Sequence, residues 1–350
     1  MNIVLRSLDG STIGVGSEHP TRVASLIGAN SPHQLGAALR SLEALRRLAF
    51  PPDIVADLSI GRSADPLWRH VVRSGLTAST LPVYSCKARN GVIDPLELLD
   101  IATEQMEGGV GLLTIHPTPT RPLISSSSSR LVPATSRGGG IVSRDLLMSL
   151  RKTNAYVRVL PEIISVARRT RTAISIGASF RSANVFDSND TTQRAEIDAQ
   201  ISLAQSISSE GVDVVIESPG HARPTDIEIL SKRLQNSGFP IMPLGPMPID
   251  SGFEYDHVAA AIGAALMGIH GAAHILAAVT REEHSGGIPS ATSIVEAAGS
   301  ARIAARVIDT HRFGPSAFDR GVAEARARHR TCIVGREARG CSRCARVCPL

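Results

Sequence analysis

Three of the chain's five cysteines stand within its last ten residues, as Cys341, Cys344 and Cys348 in "CSRCARVCPL". A C-x2-C-x3-C run puts three thiolates on one short segment, enough to wrap a [4Fe–4S] cube and leave its fourth iron open to a non-protein ligand. An open iron that chelates S-adenosylmethionine is what a radical enzyme needs. Other readings of the run stay open: a structural zinc would have to recruit Cys332 or a histidine as fourth ligand, an electron carrier would need a fourth cysteine in a longer run, and the tail could be vestigial. A second constellation is Glu217 and His221 in "ESPGH" with His284 in "REEHSGG". Two imidazoles flanked by glycines suit a divalent metal and leave positions for water or substrate, whereas a lone histidine at a strand end is usually structural. A third is "SRGGG", where a glycine run after Ser136 and Arg137 would let backbone N–H groups approach a phosphate. The nearby serine tract "ISSSSSR" reads as a flexible loop.

Positioning such residues requires a scaffold, and eight short apolar runs supply one: 22–28, 53–59, 79–85, 110–116, 172–177, 212–218, 240–245 and 273–280. Runs apolar almost throughout suit strands buried on both faces, and helical stretches such as "PLELLDIATEQMEGG" between them suit parallel crossovers. Eight units are the count that closes a (β/α)8 TIM-type barrel of the α/β class, whose chemistry lies just beyond the strands' C-terminal ends. Tyr84, His116, Arg181, Glu217 and His221 fall at those ends. An open doubly wound sheet is the alternative, but no G-x-G-x-x-G marks its first turn. Residues 117–171 are too long for a plain connection. The expected organisation is a barrel domain over 1–312 and an Arg-rich connector with the cysteine tail over 313–350.

Composition bounds the function. In this chain of 350 residues, 43% are hydrophobic and 20% charged, an ordinary globular balance. Aromatics are only 3%, which poorly supplies a base-stacking surface, so nucleic acid is not an expected partner. The net charge of +5 is concentrated in Arg320, Arg326, Arg328, Arg330, Arg336, Arg339, Arg343 and Arg346, read as a solvated basic face or one that attracts an anion. "MNIVLRSLDG" turns polar too early for a signal peptide, and no run approaches a membrane span. The expectation is a cytoplasmic protein without membrane contact, where clustered cysteines serve as ligands rather than disulfides.

Taken in order, the motifs "DLSIGR", "LPVYS", "LLTIHP", "SRGGGIVSRDLL", "FRSANVFDSNDTTQRAE", "VIESPGHARP", "LGPMPIDSGFEYDHVAAAIGAALMGI" and "AVTREEHSGGIPSATSIVEA" make the chain resemble the phosphomethylpyrimidine synthase (ThiC) family. The resemblance implies a (β/α)8 barrel whose cluster tail docks over the partner subunit's barrel in a homodimer. It implies a radical lyase that draws on an electron donor and converts aminoimidazole ribonucleotide to hydroxymethylpyrimidine phosphate in thiamine biosynthesis. By motif, Tyr84, His116, Ser136, Arg137, Gly138, Arg181 and Glu217 match substrate-contacting positions, His221 and His284 a divalent-metal pair with zinc as first choice, and the three tail cysteines the [4Fe–4S] ligands. The departures are specific. The family's C-x2-C-x4-C is one residue shorter here, its D-G-L-R reads Ala178, Ser179, Phe180 and Arg181, and positions expected to be Asn, Met and Tyr fall on Leu26, Ala56 and Met242. These changes keep two alternatives in view: a paralogue making another product, such as a hydroxybenzimidazole, and a non-catalytic nucleotide-binding or iron-sensing barrel.

Overall fold

The computed structural model describes residues 1–332 together with Cys344 and Val347. It opens with an antiparallel hairpin, β1 (Asn2–Arg6) and β2 (Thr12–Gly16). Eight parallel strands follow: β3 (Arg22–Ile27), β4 (Ile54–Asp57), β5 (Thr77–Thr80), β6 (Leu112–Ile115), β7 (Ala173–Ile176), β8 (Val214–His221), β9 (Ile241–Met247) and β10 (Ile275–Ala278). Their order is β10-β3-β4-β5-β6-β7-β8-β9, the (β/α)8 barrel expected from the eight runs. Between and after the strands lie α1 (Pro32–Arg46), α2 (Leu67–Arg73), α3 (Pro95–Glu107), α4 (Arg121–Ser127), α5 (Arg137–Met148), α6 (Ala155–Thr170), α7 (Thr191–Ser209), α8 (Pro224–Gln235), α9 (Asp256–Ile269), α10 (Ala291–Phe313) and α11 (Ala317–His329).

The four-residue cores of β4, β6, β7 and β10 are buried at every position, as strands covered on both faces must be. Alternation divides them. Ala24, Ile54, Leu112, Ala173, Val215, Met242 and Ile275 pack inside the barrel against Ile3, Leu5 and Val15 of the hairpin, while Leu113, Ile174, Val214 and Ile241 join the main cluster shared with the helices. The hairpin therefore plugs the barrel's N-terminal end. It was not expected, because "NIVLR" alternates over only five residues with charge at one end.

The seam between β9 and β10 is held by His274. Its backbone N–H donates to Ile241 O at 2.9 Å, and its Nδ1 accepts Ile241 N–H at 3.0 Å, an imidazole replacing a ladder carbonyl. Burial pushes this ring down to about 4, so it stays neutral and able to accept.

Two expectations need correction. The third strand is Thr77–Thr80, not 79–85, and Pro82–Tyr84 form a 3-10 turn, because proline cannot donate to a sheet ladder. The 117–171 segment holds three helices rather than a loop. Thr120 caps α4, and the hydroxyls of Ser127, Ser128 and Ser129 return to carbonyls three residues back, so the serine tract is a helix and its frayed end.

After α10 the Arg-rich connector forms α11, opened by a Ser316–Asp319 capping box. Arg306 stacks on Phe50 and Phe318 at 4.3 and 4.8 Å, fastening α11 to the barrel. Arg320, Arg326 and Arg328 are exposed on it. Cys344 is half-buried; Cys341 and Cys348 lie outside the described residues, as do Arg336, Arg339, Arg343 and Arg346. No described helix is long and apolar enough to cross a membrane.

The plug is testable. Leu5 is fully buried, so Leu5→Ala should cost about 3 kcal/mol in urea denaturation, the usual toll of an aliphatic truncation in a core. A loss below about 0.5 kcal/mol, the range of surface substitutions, would mean that the hairpin does not seal the barrel.

Candidate active site at the barrel mouth

A TIM barrel is normally filled by bulky branched side chains. Here Ala24, Ala56, Ser79 and Ala277 point inward and leave a cavity of about 200 Å³. Its floor is aliphatic, with Ile54, Leu112 and Met242, and its rim carries the chemistry: Tyr84, His116, Ser136, Arg137, Arg181 and Glu217 all line it. Six of the seven expected substrate-contacting residues thus meet in one space. The seventh, Gly138, lies behind His116. Leu26, Ala56 and Met242 line the same cavity, so these three departures bear on what it can hold.

His116 follows β6, and its ring lies between two glycines. A Cβ on Gly138 or on Gly177 would come within 2.5 Å of ring atoms, so only glycine fits at either position. The "SRGGG" run is therefore not a loose phosphate loop. It begins α5, with Ser136 as its cap accepting Gly139 N–H at 3.0 Å, and a Cβ on Gly139 would fall 2.5 Å from Ser179. The glycines seat the helix against β6 and β7. The first-turn N–H groups of Arg137 and Gly138 still lack intrahelical partners, which is what makes a helix N-terminus attractive to an anion.

Ser136 Oγ lies 3.3 Å from His116 Nε2. With Gly139 N–H accepted on one lone pair, the hydroxyl can donate to Nε2 or accept from it, as the ring's tautomer requires, which leaves Nδ1 as the ring's other polar atom. That Nδ1 is buried without a partner among the described residues. Burial, reinforced by Arg181, pushes the ring down to about 3, so it enters any reaction uncharged. Glu217, midway along β8, accepts Ala178 N–H at 3.2 Å; burial raises its pKa and Arg181 opposes the rise. Arg181 donates to Ala178 O at 2.9 Å. Ala178 is thus buried beside the carboxylate through its backbone, with no side-chain contact of its own to offer. The Arg137 guanidinium lies 5.4 Å above the Tyr84 ring, and burial raises that phenol's pKa.

Beside this cavity stands the histidine pair. His221 and His284 face each other through Nε2 at 3.0 Å, and each Nδ1 meets a carboxylate, Asp250 at 2.7 Å and Asp256 at 3.0 Å. Burial lowers the pKa of His221, with Asp250 opposing. Among the described residues no three His, Cys, Asp or Glu side chains converge as a metal-binding group. The expected pair is therefore brought together, with no third such donor converging on it among the described residues.

Sequence reasoning missed Asp250, Asp256, Glu196 and Glu283. Glu196 is buried and accepts N–H from Ser179 and Phe180 and the Thr118 hydroxyl, at 2.7, 2.6 and 2.7 Å, fixing the loop that carries Arg181. Glu283 lines the cavity next to His284. These carboxylates stand in "DTTQRAE", "MPIDSGFEYD" and "TREEH", where no spacing sets them apart.

The His116 ring gives a sharp pH expectation. Its folded pKa of about 3 lies below the ordinary 6.5, so the stability it contributes is complete above pH 6.5 and is lost as pH falls towards 3. In NMR its ring protons should not titrate between about pH 5 and 8, where an unperturbed histidine shifts. A midpoint inside that window would refute a buried neutral ring.

Comparison with known proteins agrees with the motifs. A family model described as the radical SAM ThiC family matches residues 3–348. Phosphomethylpyrimidine synthase 1 of Saccharolobus solfataricus is 32% identical over 274 residues, covering 75% of this chain and 63% of that protein. A phosphomethylpyrimidine synthase of Saccharolobus islandicus is 31% identical over 277 residues, covering 76% and 63%. The match spans less than two thirds of the length of these curated relatives. Among solved structures, a Xanthomonas albilineans dihydropteroate synthase aligns over 87% of this chain and 97% of its own, at 11% identity and a TM-score of 0.47, a likeness too low to bear on function. With a family model spanning the barrel, its cavity residues and the cysteine run, this chain belongs to the radical SAM ThiC family.

Proposed function

We propose that the chain is a radical S-adenosylmethionine carbon–carbon lyase of the phosphomethylpyrimidine synthase type, converting aminoimidazole ribonucleotide to hydroxymethylpyrimidine phosphate. The observation that carries this reading is the convergence of Tyr84, His116, Ser136, Arg137, Arg181 and Glu217 on one cavity in a member of this family.

On this reading the chain's own residues bind, orient and exclude water. Arg137 and the N-terminal amides of α5 hold the phosphate, where a guanidinium and a helix N-terminus act together. Arg181 adds a second cation at the rim. His116 presents a neutral ring to hydrogen-bond the heterocycle, Tyr84 remains a phenol, and Glu217, with its raised pKa, can exchange a proton under mild conditions. The aliphatic floor keeps water from reactive intermediates.

The donor sets fit the groups that the family implies. Cys341, Cys344 and Cys348 would hold a [4Fe–4S] cluster; Cys344 is a free thiol, whereas burial pushes the Cys86 thiol up to about 12 and removes it as a ligand. When bound, such a cluster supplies the electron for reductive cleavage of S-adenosylmethionine. His221 and His284 would hold a divalent ion, zinc first, through Nε2 atoms that already face each other. A homodimer with the tail over the partner's barrel, and an external electron donor, complete the proposal.

A second reading has its own support. Leu26, Ala56 and Met242 put apolar side chains on the cavity wall, which favours a paralogue with a different product, such as a hydroxybenzimidazole, from the same ribonucleotide. Product mass spectrometry separates the two.

After anaerobic reconstitution, 5′-deoxyadenosine should form only when aminoimidazole ribonucleotide is present, and Cys344→Ala should abolish both the cluster absorbance and this product. Cleavage persisting in Cys344→Ala would sink the proposal. Arg137→Ala should raise KM for the ribonucleotide roughly 10- to 100-fold, the worth of one charge-assisted contact. An unchanged KM would remove Arg137 from the phosphate site.

A further inference from the structure

Two imidazoles whose Nε2 atoms face each other at 3.0 Å share either a proton or a cation. If either ring were the Nε2–H tautomer, the two would share an ordinary hydrogen bond and that ring would not be a ligand. If both are Nδ1–H, two lone pairs point at each other and repel until a cation joins them. Which case holds is decided by what stands behind each ring. Behind His221 Nδ1 is Asp250 Oδ1 at 2.7 Å, and behind His284 Nδ1 is Asp256 Oδ1 at 3.0 Å. An ionised carboxylate only accepts, so Nδ1 of His221 is the donor in its hydrogen bond to Asp250, and the charge of Asp256 beside His284 Nδ1 favours a proton on that atom as well.

We propose that Asp250 and Asp256 are positioning residues, each holding one ring of the pair as the Nδ1–H tautomer so that both Nε2 lone pairs converge on one divalent cation. This rests on reading His221 and His284 as metal ligands.

Both carboxylates are themselves held. Asp250 accepts Val185 N–H, with 3.0 Å to Oδ2 and 3.2 Å to Oδ1, which ties it to the loop that follows β7. Asp256 is buried in the first turn of α9, and its Oδ2 accepts His284 N–H at 3.0 Å, so one carboxylate fixes both backbone and ring of that histidine. The His221 backbone is fixed in turn, donating to Ser182 O at 2.9 Å. Two carboxylates behind two neutral imidazoles also match the charge of a divalent ion. Carboxylate partners of this kind orient ligating histidines and raise their basicity, and losing one typically costs 10- to 100-fold in metal affinity.

The test is Co2+ titration, monitored by its d–d absorption, against a competing chelator. It uses the full chain carrying Cys341→Ser, Cys344→Ser and Cys348→Ser, so that tail thiols do not bind. This parent should take up one Co2+, and His221→Ala in the same chain none. Asp250→Asn and Asp256→Asn should each bind roughly 10- to 100-fold more weakly while keeping the metal-free melting temperature, and Asp250→Glu should recover part of the loss. Should Asp256→Asn not fold, Asp250→Asn decides alone. Parent-like affinity in the Asn variants overturns this inference and leaves the metal reading standing. A parent that binds no Co2+ overturns both.

Discussion

The His116 ring is gripped by backbone on both sides, and much of the site follows from that grip. Gly138 belongs to α5 and Gly177 to the end of β7, and neither tolerates a Cβ beside the ring. The contact joins a helix inserted between two barrel strands to the strand that follows it. It also fixes where α5 begins, and hence where Arg137 and the free N–H groups of its first turn stand. A larger residue at either glycine would displace the imidazole or the helix. In both cases the rim of the cavity would change shape.

From this point the loop after β7 carries the organisation outward. Glu196 gathers the N–H groups of Ser179 and Phe180, Arg181 reaches back to Ala178 O, and Ser182 O accepts His221 N–H. Three residues further on, Val185 N–H meets Asp250. The cavity and the histidine pair therefore share one backbone segment. Burying Glu196 carries a desolvation cost that raises its pKa, offset by its three hydrogen bonds. An expensive buried carboxylate is understandable where it sets the positions of two functional clusters at once.

The barrel was legible because its strands are buried on both faces and so appear as uninterrupted apolar runs. The chemistry on their C-terminal ends was legible because fold geometry assigns it there: His116, Arg181, Glu217 and His221 follow from strand position alone. Features that depend on contacts between distant segments were not. His274 substitutes for a sheet carbonyl through one hydrogen bond to Ile241, 33 residues away, with no local signature. The hairpin plug resembles an ordinary polar start. In "SRGGG" nothing local shows that the missing side chains make room for His116 and Ser179. Asp250 and Asp256 gain meaning only once His221 and His284 are seen facing each other.

The cavity itself divides its labour unequally. Charged groups stand at the rim, while Leu26, Ile54, Ala56, Leu112 and Met242 make the interior mostly aliphatic, with Ser79 and Thr114 as hydroxyls among them. A ligand entering such a space is oriented from its polar end, because the floor offers shape and dryness but little direction. The Arg137 and α5 end must then supply most of the alignment, and the deep end sets only how large and how apolar the buried part can be. On the proposed function, the departures at Leu26, Ala56 and Met242 would bear on product more than on anchoring. They alter the region where a reacting ring would be confined, and leave intact the groups that would anchor it.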